Sequence, residues 1–196
     1  MANPARRRAT YDDVLAAPEN MIAQVIDGEL HLHPRPRRRH TRSASTLGGF
    51  LSTAFDTGIH GPGGWVILDE PELHLGPDPD IVVPDIAGWR DARYPGDRDD
   101  DDAFFTVAPD WACELLSAKT ARLDRMKKVP IYAREGIGHV WIVDPRDRTV
   151  EVLRLEAGRY VLVKTWGGDD TEFVLEPFDA VPIPPACFWG RQRVSR

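Results

Sequence analysis

Apolar and polar positions along the chain repeat with two different periods, which divides it into helical and extended segments. Residues 23–34 alternate in steps of two on both sides of Asp27-Gly28, a dipeptide typical of tight turns, and this predicts a β-hairpin. Between residues 40 and 58 the apolar residues recur at spacings of three and four, which predicts an amphipathic helix. Thr10 is a typical helix N-cap, so a short helix is predicted to begin there and to end before Pro18.

The second part of the chain alternates strand-like runs with one helical run. Strands are predicted at residues 65–76, 81–89, 110–117, 139–145, 149–158, 159–166 and 171–177. A helix is predicted at residues 119–136, where Gly136 is a suitable C-cap and Pro130 must bend or interrupt the helix. Because this helix joins two strands, it permits a parallel crossover. The order predicts an α/β or α+β fold, with a single mixed sheet flanked by two main helices and extra antiparallel strands at the C-terminal end.

Length and composition are those of a globular protein. The 196 residues are 42% hydrophobic and 29% charged, so we expect one domain over residues 1–196, with a core at about 20–150 and a strand extension at about 150–185. No apolar run approaches about 18 residues, and the basic start is not followed by the apolar stretch of a secretion signal. With only two cysteines, Cys113 and Cys187, the chain is expected to be a soluble cytoplasmic protein.

Charge is distributed unevenly along the chain. The formal net charge of -6 argues against a protein that holds nucleic acid by bulk charge, because such domains are usually basic. Residues 34–40 and 119–128 are nevertheless locally basic, whereas residues 97–102 form a concentrated acidic loop. Each segment taken alone is most simply a solvated surface.

Two acids on consecutive predicted strands are the first candidates for chemistry. Asp85 follows Pro84 where the strand should break, and Glu114 stands in an apolar strand, where a buried carboxylate needs a neighbouring cation. If the two strands are adjacent, the carboxylates converge and form a seat for a hard divalent cation, which lowers the pKa of a bound water. Two alternatives remain open: Asp85 could cap a turn, and Glu114 could pair with an arginine.

Three histidines offer a weaker zinc hypothesis. His31 and His33 lie on one face of a predicted strand, and His74 could join them. No acid or cysteine completes this set convincingly, and half-buried sheet histidines are common, so the oxygen-ligand site is favoured.

A series of motifs, taken in order, resembles one known family. The motifs are VVPDIAGW, APDWACELLSAKT, DRMKKVPIYAREGIGHVWIVDP and TVEVLRL. Together they resemble the Uma-two family of restriction-endonuclease-like proteins, a branch of the PD-(D/E)XK nuclease superfamily, over roughly residues 11–185. The resemblance implies a mixed sheet flanked by helices, and hydrolysis of DNA phosphodiester bonds by a water that Mg²⁺ or Mn²⁺ activates.

The resemblance also implies roles for single residues. Asp85 and Glu114 match the family's acidic metal ligands, and the backbone carbonyl of Leu115 would complete the protein's share of the ligands. The superfamily's lysine would fall at Leu116, and the position that resembles its displaced form in the following helix is Lys128. An ammonium there could reach the scissile phosphate or orient the attacking water.

Other positions depart from the family pattern or match it less specifically. Gln24 stands where many relatives have a glutamate; it can still contact a metal or hold a water, but it carries no charge. Lys119 stands where relatives often have Ser-Pro-Ser-Thr, and it is a second candidate for the missing lysine. His40 resembles a histidine common at the start of the first main helix, where it could touch the phosphate, although such a histidine is more often structural.

Two function classes follow from these residues. The first is a metal-dependent DNA endonuclease, for which a homodimer would most simply cut both strands of a duplex. Its expected nucleic-acid contacts are Arg37, Arg38, Arg39, His40, Lys119, Arg122 and Arg125. The second class, suggested by Gln24 and the displaced lysine, is a catalytically impaired module that keeps the nuclease fold and binds nucleic acid or protein.

Overall fold

The computed structural model describes residues 7–96, 102–168 and 170–189, so most of the predicted acidic loop at 97–102 lies outside the described residues. The strands are β1 (Met21–Ile26), β2 (Glu29–Pro34), β3 (Trp65–Asp69), β4 (Leu73–Leu75), β5 (Asp80–Val82), β6 (Ile86–Arg90), β7 (Trp111–Leu115), β8 (His139–Asp144), β9 (Thr149–Glu156) and β10 (Arg159–Gly167). The helices are α1 (Tyr11–Leu15), α2 (Arg38–Leu51), α3 (Ala121–Leu123), α4 (Val129–Arg134) and α5 (Pro185–Trp189), with a 3₁₀ turn at Asp91–Arg93 and π-helical segments at Ser52–Asp56 and Asp124–Lys128.

The mixed α+β fold is confirmed, but the strands form two sheets rather than the single sheet expected from the sequence. The larger sheet has the order β10-β9-β8-β7-β6-β3, and the smaller has the order β2-β1-β5-β4. In the larger sheet β7 and β8 are parallel, as the intervening helix predicted, and the other pairs are antiparallel. The β1–β2 hairpin turns at Asp27 and Gly28, whose φ values of 54° and 77° suit a type I′ turn.

Two predicted strands are each divided between the sheets. The segment 65–76 breaks before Pro71 into β3 and β4, and the segment 81–89 breaks at Pro84 into β5 and β6. A proline has no N–H for the strand ladder, which favours a break at both places. The prediction of a strand at 171–177 was wrong: in this segment only Phe173 pairs, in an isolated bridge with Ile183.

The helix predicted at 119–136 is present as α3, a π-helical segment and α4, in unbroken succession. Pro130 lies in the first turn of α4, directly after the π-helical segment Asp124–Lys128. The wider turn relieves the clash between the proline ring and the carbonyl four residues earlier, so the helix continues instead of ending. It ends at Arg134, and Gly136 follows with a φ of 75°, as a glycine C-cap requires.

The larger sheet separates two apolar layers. On one face, α2 and the C-terminal segment pack around Trp111, Trp141 and Phe178. On the other face, Trp89 and Tyr132 belong to a second layer shared with the smaller sheet and α4. None of the helices within the described ranges is both long enough and apolar enough to cross a lipid bilayer.

Candidate active site

Asp85 and Glu114 are brought together where β6 begins beside β7. Ile86 of β6 pairs with Cys113 of β7, and the backbone N–H of Asp85 donates to the carbonyl of Cys113 at 3.1 Å. In this antiparallel register, Asp85, which precedes Ile86, lies opposite Glu114, which follows Cys113. The predicted adjacency of the two strands is therefore confirmed, although Asp85 lies one residue before β6 rather than in it. That the two carboxylates share a cation stays a prediction.

Glu114 is buried, and it is compensated by a lysine rather than by the arginine that the sequence left open. The Nζ atom of Lys128 lies 2.7 Å from Oε1 and 2.8 Å from Oε2 of Glu114. The hydroxyl of Tyr132 donates to Oε1 at 2.5 Å. Glu114 is 1% exposed and Lys128 is 2% exposed, so this pair has almost no contact with solvent.

Hydrogen bonds of Lys128 also link the Glu114–Lys128 ion pair to the backbone at the strand break before Asp85. Its ammonium donates to the backbone carbonyl of Val83 at 2.9 Å, and the N–H of Val83 donates to Oε1 of Gln24 at 2.9 Å. Gln24 is 4% exposed and is linked to Lys128 through Val83, whereas its contact with a metal or a water stays a prediction. Its amide oxygen is occupied by the backbone.

Asp85 has partners on both carboxylate oxygens. Nε2 of His40 lies 3.0 Å from Oδ1, and the backbone N–H of Leu115 donates to Oδ2 at 2.6 Å. Burial acts to lower the pKa of His40, but the hydrogen bond and the charge of Asp85 outweigh it and raise that pKa. The two acids therefore each have their own basic neighbour, His40 for Asp85 and Lys128 for Glu114.

Burial raises the pKa of Glu114 to about 8, against the charge of Lys128, while the charges of Asp124 and Asp85 raise it further. Burial likewise acts to lower the pKa of Lys128, but the charges of Glu114, Asp124 and Asp85 raise it overall. Lys128 is thus a cation with the carboxyl groups of Glu114 and Asp124 at 2.7 and 3.7 Å.

The raised pKa of Glu114 predicts a pH-dependent stability that glutamine at this position removes. Because the folded-state pKa of about 8 lies above the ordinary glutamate value of 4.5, the proton stabilises the folded state fully below pH 4.5, and this contribution is lost as the pH rises towards 8. Relative to Glu114→Gln, the wild-type free energy of unfolding should fall by up to about 1.4 kcal/mol per pH unit in this window. Urea unfolding of both proteins from pH 5 to pH 8 measures the difference, and a constant difference would contradict the prediction.

The donor set at this site has the chemistry of a hard-cation site. The carboxylates of Asp85 and Glu114 and the carbonyl of Leu115 are oxygen donors, which Mg²⁺ and Mn²⁺ prefer. Within the described ranges, no group of three His, Cys, Asp or Glu side chains could hold a metal ion by itself. The residues therefore fit a divalent cation whose coordination would be completed by oxygens of water or substrate. Such a cation would compete with His40 and Lys128 for the carboxylates.

The predicted nucleic-acid contacts occupy two segments beside these acids. Arg37, Arg38 and Arg39 are exposed around the start of α2, directly before His40. On the other segment, Lys119 and Arg122 are exposed after β7. Arg125 is also exposed, but its guanidinium binds both oxygens of Glu151 at 2.6 and 2.8 Å, so its charge is largely neutralised within the protein.

Among the residues that the structure describes, the three histidines of the zinc hypothesis do not form a group that could hold a metal ion. His74 lies 2.8 Å from the carboxylate of Glu72 and stacks on Phe104 at a centroid distance of 3.7 Å. His31 and His33 share a face of β2, opposite Gln24 and Ile22 of β1. Their side chains thus lie on the same face of the small sheet as Gln24.

Sequence reasoning missed two residues of the site, Asp124 and Tyr132. The carboxylate of Asp124 lies 3.7 Å from the ammonium of Lys128, and Tyr132 bonds to Glu114. Positions 124, 128 and 132 are spaced by four, so they lie on one helix face, and this spacing was the available signal. A polar stripe on a helix is usually solvated, which is why the spacing alone did not indicate burial.

Comparison with known proteins identifies the family. A family model described as "Putative restriction endonuclease" (Uma2) matches residues 9–183. Among solved structures, that of "a putative nuclease belonging to DUF820" from Anabaena variabilis matches with a TM-score of 0.74 and 21% sequence identity, over 92% of this chain and 97% of that chain. A search of curated proteins found no match. The structural likeness shows a shared, restriction-endonuclease-like fold, and since the family model spans most of the sequence, the chain belongs to the Uma2 family.

Proposed function

We propose that this nuclease-like protein is a metal-dependent DNA endonuclease that hydrolyses phosphodiester bonds. The observation that carries the proposal is the placement of Asp85 beside Glu114, with the buried ammonium of Lys128 at 2.7 Å from the Glu114 carboxylate. Two acids on neighbouring segments and a fixed cation are suited to a reaction in which negative charge develops on a phosphate.

In this mechanism, Asp85, Glu114 and the carbonyl of Leu115 would hold Mg²⁺ or Mn²⁺. The ion would supply Lewis acidity, which makes water a better nucleophile and withdraws charge from the phosphate. Lys128 would donate a hydrogen bond to the scissile phosphate or to the attacking water from a fixed position. Gln24 holds the backbone at Val83, and so fixes the carbonyl that positions Lys128.

DNA would lie across the exposed cations of the two basic segments. Arg37, Arg38 and Arg39 approach from α2, and Lys119 and Arg122 from the segment after β7. Because the net charge is -6, we expect modest affinity that falls steeply with salt. A homodimer would present two such sites to a duplex, and sedimentation at working concentrations tests that proposal.

Titration calorimetry with Mn²⁺, together with cleavage of plasmid DNA, tests the proposed function. Wild-type protein should bind Mn²⁺ and cut DNA, whereas Asp85→Ala should lose both properties because a ligand is missing. Asp78→Ala, at an exposed turn, serves as the matched control and should retain both. Absence of Mn²⁺ binding by the wild-type protein would contradict the proposal.

A second candidate function is a module that binds nucleic acid without cutting it. Two observations favour it: Gln24 lacks a charge, and His40 and Lys128 already neutralise the two acids. In that case fluorescence anisotropy should detect DNA binding in the presence of EDTA, and neither Mg²⁺ nor Mn²⁺ should produce cleavage. Cleavage that requires the metal would rule this candidate out.

A further inference from the structure

Lys128 has a second acidic neighbour that the proposed mechanism does not use. Its Nζ atom lies 2.7 Å from Oε1 of Glu114 and 3.7 Å from Oδ1 of Asp124. The side chains of all three residues are at most 4% exposed. Asp124 and Lys128 are the first and last residues of the π-helical segment, so the helix itself holds the second pair in reach.

A buried ammonium is costly unless an anion stays beside it. In the proposed nuclease, Glu114 also serves as a metal ligand, and binding a divalent cation would draw the charge of Glu114 away from Lys128. The ammonium is held in place by the carbonyl of Val83 at 2.9 Å, and a carbonyl alone carries no compensating charge. Lys128 therefore needs another anionic partner while Glu114 binds the metal ion.

Asp124 has the placement of such a partner. It is buried at 3% exposure, it pairs with Lys128 at 3.7 Å, and its carboxylate accepts a hydrogen bond from the side chain of Thr120. It is not among the proposed metal ligands. A carboxylate with these surroundings costs stability by its own burial, and its pairing with Lys128 offsets that cost.

We propose that Asp124 is a positioning residue: it is the alternative anionic partner that keeps the Lys128 ammonium in the site when Glu114 gives up its charge. The use of this pairing in cleavage rests on the proposed function. The pairing itself can be measured without metal or DNA, because Glu114→Gln mimics a Glu114 whose charge has been withdrawn.

Thermal unfolding without metal tests the pairing through a double-mutant cycle of Glu114→Gln and Asp124→Asn. At about pH 9, above the pKa of Glu114, each single variant leaves Lys128 one ionised carboxylate nearby, so its loss in Tm should be small. The double variant leaves the ammonium without either partner, and its Tm should fall by roughly 6–12 °C more than the sum of the single losses. In a Lys128→Met background this extra loss should disappear, and in the Glu114→Gln background Asp124→Glu should retain most of the stability that Asp124→Asn loses.

Additive effects, or an equal extra loss in the Lys128→Met background, would overturn the proposal, because a merely structural aspartate would act independently of Lys128. If the double variant does not fold, the triple variant with Lys128→Met is decisive. Recovery of folding in the triple variant supports the proposal, since the unpaired cation is gone. Failure of the triple variant as well contradicts it.

Calorimetry with Mn²⁺ provides a readout that a merely structural role would not change. Asp124→Asn should weaken Mn²⁺ binding by roughly 10–100-fold, because the metal then leaves Lys128 unpaired, and Lys128→Met/Asp124→Asn should recover the affinity. Equal affinity in Asp124→Asn and wild-type protein would overturn the coupling. Absence of Mn²⁺ binding by wild-type protein would instead defeat the proposed function and this use of the pairing, while the metal-free cycle still decides whether the pairing exists.

Discussion

Glu114→Gln is expected to abolish metal-dependent DNA cleavage while the protein still folds. Glutamine keeps the shape and one acceptor oxygen for Lys128 and Tyr132, but it removes the charge that a divalent cation needs. The cleavage rate should fall by at least about 10³-fold. Because Asp124 remains 3.7 Å from Lys128, the loss in Tm without metal should be small.

Plasmid cleavage in Mn²⁺ and thermal unfolding in EDTA measure these two effects separately. Glu135→Gln is a suitable matched control, because Glu135 follows α4 and pairs with Arg134 rather than with Lys128. The control should cleave DNA at the wild-type rate. If the Glu114→Gln protein cleaves DNA normally, Glu114 has no role in cleavage. If it is unfolded, the ion pair is chiefly structural.

Lys128→Met and Lys119→Ala are expected to affect different steps. Lys128 is 2% exposed and fixed between Glu114 and the Val83 carbonyl, so it offers little surface to bound DNA, and in the proposed mechanism it contributes to the chemical step instead. Lys128→Met should therefore lower the single-turnover cleavage rate by roughly 10²–10³-fold with little change in DNA affinity. Methionine fills the space of the lysine stem, which limits the loss of packing.

Lys119 is exposed beyond the end of β7, and in the proposed function it contacts backbone phosphate. Lys119→Ala should weaken DNA binding and reduce the slope of log affinity against log salt by about 1, because one phosphate contact releases its counterion. Anisotropy titrations across a range of salt concentrations measure that slope. If Lys119→Ala is inactive and Lys128→Met is fully active, Lys119 rather than Lys128 is the lysine that acts in the chemical step.

Features of this fold that depend only on residues close together in the sequence could be predicted from the sequence. The turn at Asp27-Gly28 follows from dihedral angles that glycine permits, and the break at Pro84 follows from a missing N–H. The helix after β7 and its glycine C-cap were likewise set by local sequence, and this helix permitted the parallel pairing of β7 with β8 that the structure shows. The proximity of Asp85 to Glu114 could be inferred because each residue was tied to a strand whose neighbour was inferred correctly.

Features that depend on contacts between distant segments were decided only by the tertiary structure. Alternating apolar residues predict strands but do not specify their partners, so the division into two sheets could not be predicted, and Phe173 packs into the core without forming a strand. In the same way, the sequence indicated that Glu114 needs a cation but offered several. Lys128 fills that role, with Asp124 beside it, because the helix folds back across β7 and buries all three charges in one place; that burial is a property of packing rather than of local sequence.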